Sequence, residues 1–219
     1  NLEVFDELLE SAKKHNRTIL RTSLHTTTMM NKLISYLDDK LAPTIRIHGT
    51  LVEVYGIGIF ISGTSGVGKS EIALELVNRG HRLIADDLVE IKQIEGERLI
   101  GSAPEILRHF IEIRGIGILD VKSLYGVGAV KNHVDINMVI ELERWEENKH
   151  YERLALDTQY SEIIEVSIPK VTIPVSPGRN LSIIIETAAR NFREKVMGYN
   201  PANEFLERLK DNPLLNEDF

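Results

Sequence analysis

The segment Gly63-Thr64-Ser65-Gly66-Val67-Gly68-Lys69-Ser70 constrains this chain more than any other, because it fits the pattern G-x-x-x-x-G-K-[ST]. Its surroundings matter as much as its letters. The run Gly56–Ser62 before it reads as a strand, and after it Ile72, Ala73, Leu76 and Val77 recur at helical spacing until Gly80, a residue suited to a left-handed helix cap. Strand, glycine loop and helix in that order place successive backbone N–H groups around a polyphosphate at the positive end of a helix. Lys69 would neutralise β/γ oxygens there, and the Ser70 hydroxyl would reach Mg²⁺. Gly63, Thr64, Ser65, Gly66, Val67, Gly68, Lys69 and Ser70 are therefore the candidate nucleotide-binding residues. A glycine turn that merely caps a helix is the bland alternative.

Composition removes several other classes. The 219 residues contain no Cys, which excludes a disulfide scaffold, and 42% hydrophobic with 27% charged residues describes an ordinary folded chain. That length allows one large domain, or a domain with a smaller piece. A net charge of −7 opposes non-specific nucleic-acid binding, which needs a basic footprint. The longest uncharged run, from Val54 to Gly68, is broken by Gly and Ser and falls short of the ~18–20 apolar residues of a membrane span. No secretory signal opens the chain, so a cytoplasmic protein is expected. Because Asn1 rather than Met comes first, the chain is also expected to lack the beginning of its protein.

Phe5, Leu8, Leu9 and Ala12 predict a first helix, Thr18–Thr22 a short strand, and Met30, Leu33, Ile34, Leu37 and Leu41 a second helix running from a cap at Thr27 or Thr28 to Pro43. This α-β-α piece, residues 1–42, is expected to be separate from an α/β domain over 43–219. In the latter, strands are predicted at Arg82–Asp87, Val89–Gln93, Glu112–Ile118, Val134–Leu142 and Val171–Val175. Asn180 is placed to cap the longest helix, where Leu181, Ile184, Ile185, Ala188, Phe192 and Val196 share a face and Gly198 marks the end. A last short helix starts at Pro201.

Other candidate residues are read from position and chemistry. Asp86-Asp87 ends the strand after the loop–helix unit, where a carboxylate would stand near Mg²⁺ and the terminal phosphate, or accept a proton from a serine hydroxyl. Neighbouring strand residues point to opposite faces, so one acid faces the phosphate and the other caps or orients. Glu112 and Arg114 are expected on one strand face, as metal and phosphate ligands or as a plain ion pair. His48 is undecided between a structural and a catalytic role. Gly126-Val127-Gly128 is a substrate loop or an ordinary turn. In Pro174-Val175-Ser176-Pro177-Gly178-Arg179 two prolines stiffen a turn that sets Arg179 beside the helix start, where an anion could bind.

Taken in order, His48-Gly49, Gly63–Ser70, Ala85-Asp86-Asp87, Glu112-Ile113-Arg114-Gly115, Gly126-x-Gly128-Ala129-Val130 and Pro177-Gly178-Arg179-Asn180 resemble the bacterial bifunctional HPr kinase/phosphorylase family over essentially the whole chain. The resemblance implies a phosphate-loop kinase core like that of phosphoenolpyruvate carboxykinase, preceded by the end of a small α/β domain. It implies phosphorylation of a serine of the phosphocarrier HPr by ATP or pyrophosphate with Mg²⁺, and a reverse reaction in which inorganic phosphate attacks phosphoserine and pyrophosphate leaves. Control of sugar uptake and carbon catabolite repression would follow, in a cytoplasmic homo-hexamer without nucleic-acid or membrane partners. By the same resemblance His48, Lys69, Asp87 and Arg153 are catalytic, and Ser70 and Glu112 hold the metal. Asp86, Ile111, Ile113, Arg114, Gly115, Gly117 and Asp120 belong to segments used in both directions. Pro174, Pro177, Gly178 and Arg179 belong chiefly to dephosphorylation. Thr64 stands where the family leads one to expect Asp, and Ser176 where it leads one to expect Arg. A phosphate-loop metabolite kinase or carboxykinase, or a nucleotide sensor without chemistry, would share the loop and the carboxylates.

Overall fold

The structure is a computed structural model that describes residues 3–147 and 158–210; Arg153 lies outside the described residues. The chain divides into two compact units, Asn1–Ala42 and Pro43–Phe219. In the first, α1 (Asp6–Lys14) and α2 (Thr26–Leu41) are amphipathic helices, with acids opening α1 and lysines closing it in the sense the helix dipole favours. The expected strand at Thr18–Thr22 does not form. No residue of that run appears in any strand pairing, and β-propensity without a pairing partner does not hold a strand.

The second unit is built on a curled nine-stranded sheet. Its elements, in chain order, are β1 (Thr44–His48), β2 (Thr50–Val54), β3 (Ile57–Gly63), α3 (Lys69–Asn78), β4 (Arg82–Ala85), β5 (Leu88–Ile94), β6 (Arg98–Ser102), β7 (Phe110–Ile113), β8 (Gly117–Asp120), α4 (Val121–Tyr125), β9 (His133–Arg144), β10 (Gln159–Ile163), β11 (Val166–Val175), α5 (Leu181–Val196) and α6 (Pro201–Lys210). Strand order is β1-β5-β6-β9-β3-β2-β4, with β11 also on β9 and β10 on β11, while β7 and β8 form a separate hairpin. The long strand β9 is the spine. It pairs β6 antiparallel through its first residues, β3 parallel through its middle and β11 parallel through its last. At Gly58 β3 leaves no room for a side chain against β9, since an added Cβ would collide with the backbone carbonyl of Asp135.

One core lies on the helix side of the sheet, where Val52, Ile59, Ile61, Met138 and Ile140 meet Ile72, Ala73 and Leu76 of α3 and Ile185 and Ala189 of α5. The other holds Leu51, Phe60, Ile84, Val89 and Ile91. Alternation of side chains along β2 and β3 feeds both cores, which is why these strands are buried throughout their middle. The predicted run Glu112–Ile118 is two strands of a hairpin rather than one. Gly115 and Gly117 take φ of +84° and +109° and fold the chain back, with Ile116 N donating to the Ile113 carbonyl at 3.0 Å. Asn180 caps α5 through its Oδ1, which accepts from Ile183 N at 3.0 Å. The predicted apolar face of α5 packs on the core through Leu181, Ile184, Ile185, Ala188 and Phe192, joined by the fully buried Ala189, and only Val196 of the predicted stripe is exposed, at 70%.

A buried carboxylate locks α5 to the far end of α3. Glu186 accepts from Arg79 at 2.6 Å, contacts His81 Nε2 at 2.9 Å and accepts from the Tyr55 hydroxyl at 3.4 Å. Tyr55 in turn packs edge-on against His81 and under the Arg190 guanidinium. The Arg79 hydrogen bond, with help from His81, outweighs burial and holds the Glu186 carboxyl at about 2, well below its usual 4.5. A depressed acid contributes its stabilisation above the unfolded value and loses it as pH falls through the folded value. Unfolding in urea should therefore show stability declining as pH drops from about 4.5 toward about 2, with Glu186→Gln flattening that limb. Gly58→Ala, whose Cβ meets unyielding backbone, should lower stability by about 1–3 kcal/mol or more by the same measurement.

Candidate active site

The phosphate loop follows β3, whose Ile59, Phe60 and Ile61 are buried in the two cores on either side of the sheet. Val67 pins the loop into the core, while Gly63, Thr64, Ser65 and Gly66 face solvent. Two of the glycines are required by geometry. Gly63 passes within reach of β9, so that a Cβ would stand 2.5 Å from the Leu142 carbonyl. Gly66 has φ +76°, and a Cβ there would stand 2.8 Å from the Arg114 guanidinium. Gly68 then opens α3, whose first turn presents its N–H groups to the loop. Lys69 Nζ donates to the carbonyls of Gly63 at 3.0 Å and Thr64 at 3.2 Å, which holds the ammonium across the loop.

Asp86 follows β4 and is only 4% exposed. Its carboxylate accepts from Thr50 Oγ1 at 2.7 Å, Ser70 Oγ at 2.9 Å and, more loosely, Glu112 N at 3.4 Å. Burial pushes its carboxyl above the ordinary value, and the Thr50 and Ser70 hydrogen bonds oppose that rise. Asp87 points the other way. Its backbone is left-handed, φ +66°, its carbonyl accepts from Gly49 N at 3.0 Å, and its side chain is 74% exposed. His48 Nδ1 lies 3.1 Å from the Asp87 carbonyl and 3.5 Å from its carboxylate. The two adjacent acids thus divide into one that braces Ser70 and one that meets solvent beside a histidine.

The β7–β8 hairpin covers the other flank. Ile111 and Ile113 turn inward to the core, which turns Glu112 outward beside Asp86. Arg114 lies in the turn rather than on the strand, and its guanidinium reaches over the loop to Ser65 Oγ at 3.5 Å. Asp120 caps α4, accepting from Ser123 N at 3.1 Å and Ser123 Oγ at 2.6 Å, and those bonds lower its carboxyl pKa. Asp120, Gly115 and Gly117 are thus parts of the hairpin's frame. In the second segment Gly178 turns the chain at φ +84° after Pro177, and Arg179 NH1 donates to the Pro174 carbonyl at 2.9 Å. The Arg179 guanidinium is therefore tied across its own loop, while the Asn180 side chain serves the α5 start.

Ser70 Oγ and the Asp86 carboxylate are hard oxygens already in contact, and Glu112 adjoins them through its backbone N–H; such oxygens suit a small divalent ion that takes one or two carboxylates and completes its shell from phosphate and water. Among the described residues, no group of three or more His, Cys, Asp or Glu could hold a metal by itself. Thr50 is the functional residue the motifs do not announce. It is a threonine in a β-rich run, and only its burial against Asp86 gives it a role.

A family model described as the HPr Serine kinase C-terminal domain matches residues 39–209. The HPr kinase/phosphorylase of Caldanaerobacter subterraneus subsp. tengcongensis is 60% identical over 209 residues, covering 95% of this chain and 68% of that protein. That of Geobacillus kaustophilus is 51% identical over 210 residues, covering 96% of this chain and 68% of that protein. Among solved structures, the HPr(Ser) kinase/phosphatase from Coxiella burnetii superposes with a TM-score of 0.65 at 37% identity, covering 74% of this chain and 98% of that one.

The loop geometry yields one test. Gly66→Ala combines a strained left-handed alanine with displacement of Arg114, and should weaken nucleotide binding measured by calorimetry by about tenfold or more, with a far smaller effect on the melting temperature.

Proposed function

This chain belongs to the HPr kinase/phosphorylase family, and from that premise we infer that it transfers a phosphoryl group from ATP or pyrophosphate to a serine of HPr. It also catalyses the reverse phosphorolysis, in which inorganic phosphate takes the phosphoryl group from phosphoserine and pyrophosphate leaves. The enzyme serves carbon catabolite repression. The observation that carries the site assignment is the division of labour between Asp86 and Asp87, one carboxylate buried on Ser70 and its neighbour exposed beside His48.

From that geometry the roles follow. The loop amides, Lys69 and the Arg114 guanidinium bind and neutralise the phosphates. Asp87 is open to a protein surface, and it accepts the serine proton as the hydroxyl attacks. In the reverse direction it returns that proton to the serine oxygen as phosphate displaces it. One residue serves both directions by microscopic reversibility. His48, in contact with Asp87, orients that carboxylate. Ser70, Asp86 and Glu112 would hold Mg²⁺, which supplies charge neutralisation on the transferring phosphoryl group when bound. The Pro174–Arg179 turn is assigned to the phosphorolysis direction, with Arg179 fixed by the Pro174 carbonyl. We also assign the family's homo-hexamer and a cytoplasmic location. No helix among the described residues is long and apolar enough to cross a membrane.

The experiment incubates the protein with Mg²⁺, γ-labelled ATP and purified HPr, locates phosphoserine by mass spectrometry, then adds inorganic phosphate and measures pyrophosphate. Label on a serine followed by pyrophosphate release is expected; no label despite bound ATP would sink the assignment. Asp87→Asn should lower transfer about 10²–10⁴-fold, the usual worth of a positioned base, while ATP still binds.

A further inference from the structure

We propose that Asn180 is a positioning residue, whose amide ties the Pro174–Arg179 turn to the phosphate-loop helix α3 and so sets how well the site handles inorganic phosphate and pyrophosphate. The proposal rests on the assignment of that turn to phosphorolysis above. Asn180 uses both ends of its amide: Oδ1 accepts from Ile183 N at 3.0 Å to cap α5, and Nδ2 donates to Glu75 Oε1 of α3 at 3.2 Å. A cap alone would be met by Ser, Thr or Asp. Facing a carboxylate at the same time needs a separate donor, which among the capping side chains only the amide of Asn carries.

The strands put that joint beside the chemistry. Leu142 of β9 stands opposite Gly63 of β3 on one side and opposite Ile173 of β11 on the other, all three strands running parallel. The phosphate loop and the Pro174–Arg179 turn therefore leave the sheet level with one another, two strand spacings or ~10 Å apart. Past β11 the turn is held within itself, by Arg179 NH1 on the Pro174 carbonyl at 2.9 Å and Arg179 N on the Ser176 carbonyl at 3.3 Å. From its end the Asn180 amide reaches α3 and meets Glu75, ~7.5 Å of helix beyond Ser70. Glu75 and Arg79 share a face of α3 at i and i+4, and Arg79 meets Glu186 of α5. The joint is thus the first rung of a polar seam that runs beside the apolar contact of the two helices.

The chemistry of the substrates decides which reaction feels the joint. ATP and ADP are held by a nucleoside as well as by their phosphates, whereas inorganic phosphate and pyrophosphate offer only phosphate oxygens. A cationic turn set out of place therefore harms the small anions more. Because a variant cannot alter an equilibrium, whatever slows phosphorolysis slows pyrophosphate-driven phosphorylation of HPr in proportion. ATP-driven phosphorylation is a separate reaction and is free to differ.

That difference supplies the test. Asn180→Asp keeps the cap and turns the joint into two opposed carboxylates. Combined with Glu75→Gln, it faces a new amide donor, which restores the bond with its direction reversed and leaves the net charge unchanged. For each, kcat and KM are measured for phosphorylation of HPr with ATP and with pyrophosphate, and for pyrophosphate release from phosphoseryl-HPr as inorganic phosphate is varied, alongside the melting temperature. In Asn180→Asp the kcat/KM for inorganic phosphate and for pyrophosphate should fall about tenfold relative to that for ATP, and the double variant should recover most of the loss. Equal losses in all three reactions, unchanged ratios, or no recovery in the double variant would overturn the proposal. If the unmodified enzyme labels HPr from ATP but releases no pyrophosphate from phosphoseryl-HPr, the assignment of the turn falls, and the proposal with it. Should Asn180→Asp not fold, Asn180→Ser, which keeps a cap and loses the amide donor, carries the same comparison of ratios.

Discussion

A carboxylate removed from water is costly unless donors surround it, and the site is assembled around Asp86, which meets that demand. Its partners come from three directions: Thr50 from β2, Ser70 from the first turn of α3, and the Glu112 amide from β7. Each bond satisfies the acid, and each also fixes an element that carries other chemistry. Through Ser70 it ties down the first turn of the helix under the phosphate loop. Through Glu112 it docks the hairpin that brings Arg114 over that loop. Because the chain turns sharply after Asp86, with Asp87 left-handed, burying one acid throws the next into solvent beside His48.

Around this hub β9 acts as the second constraint. By pairing β3 and β11 in parallel it gathers the carboxyl ends of three strands, so the loop, the acidic strand end and the Pro174–Arg179 turn open on a common side. Glycine makes the gathering possible, since Gly58 and Gly63 let β3 lie against β9 where any Cβ would strike a carbonyl. At the opposite end of α3 the Glu186 cluster performs a purely mechanical task. It ties Arg79 and His81, flanking the end of α3, to α5, so both ends of the helix that carries Lys69 and Ser70 are anchored by buried carboxylates.

How much of this was legible from the letters depends on how local the cause is. The phosphate loop, the helix after it, the Asn180 cap and the strands flanking the loop are written in short windows, and they stand where those windows put them. Thr18–Thr22 had the composition of a strand and no partner, so it is not one. Glu112–Ile118 had the alternation of one strand, but Gly115 and Gly117 in positive-φ conformations make it a hairpin and lift Arg114 out of the strand. The α5 stripe packs on the core from Leu181 to Phe192, and only its last residue, Val196, is exposed; the polar Ser182 and Glu186, which no apolar stripe could include, are buried beside it.

The sequence by itself determined the nucleotide loop, the family and the set of residue types available for chemistry, because spacing within a few residues and an ordered series of motifs carry that information. Only the tertiary structure decided which of two adjacent acids is buried and which is exposed, that Thr50 holds Asp86, and that Arg114 serves the loop. Those outcomes depend on residues separated by tens of positions meeting at strand ends. Long-range register, which the pattern of any single segment leaves open, brings them together.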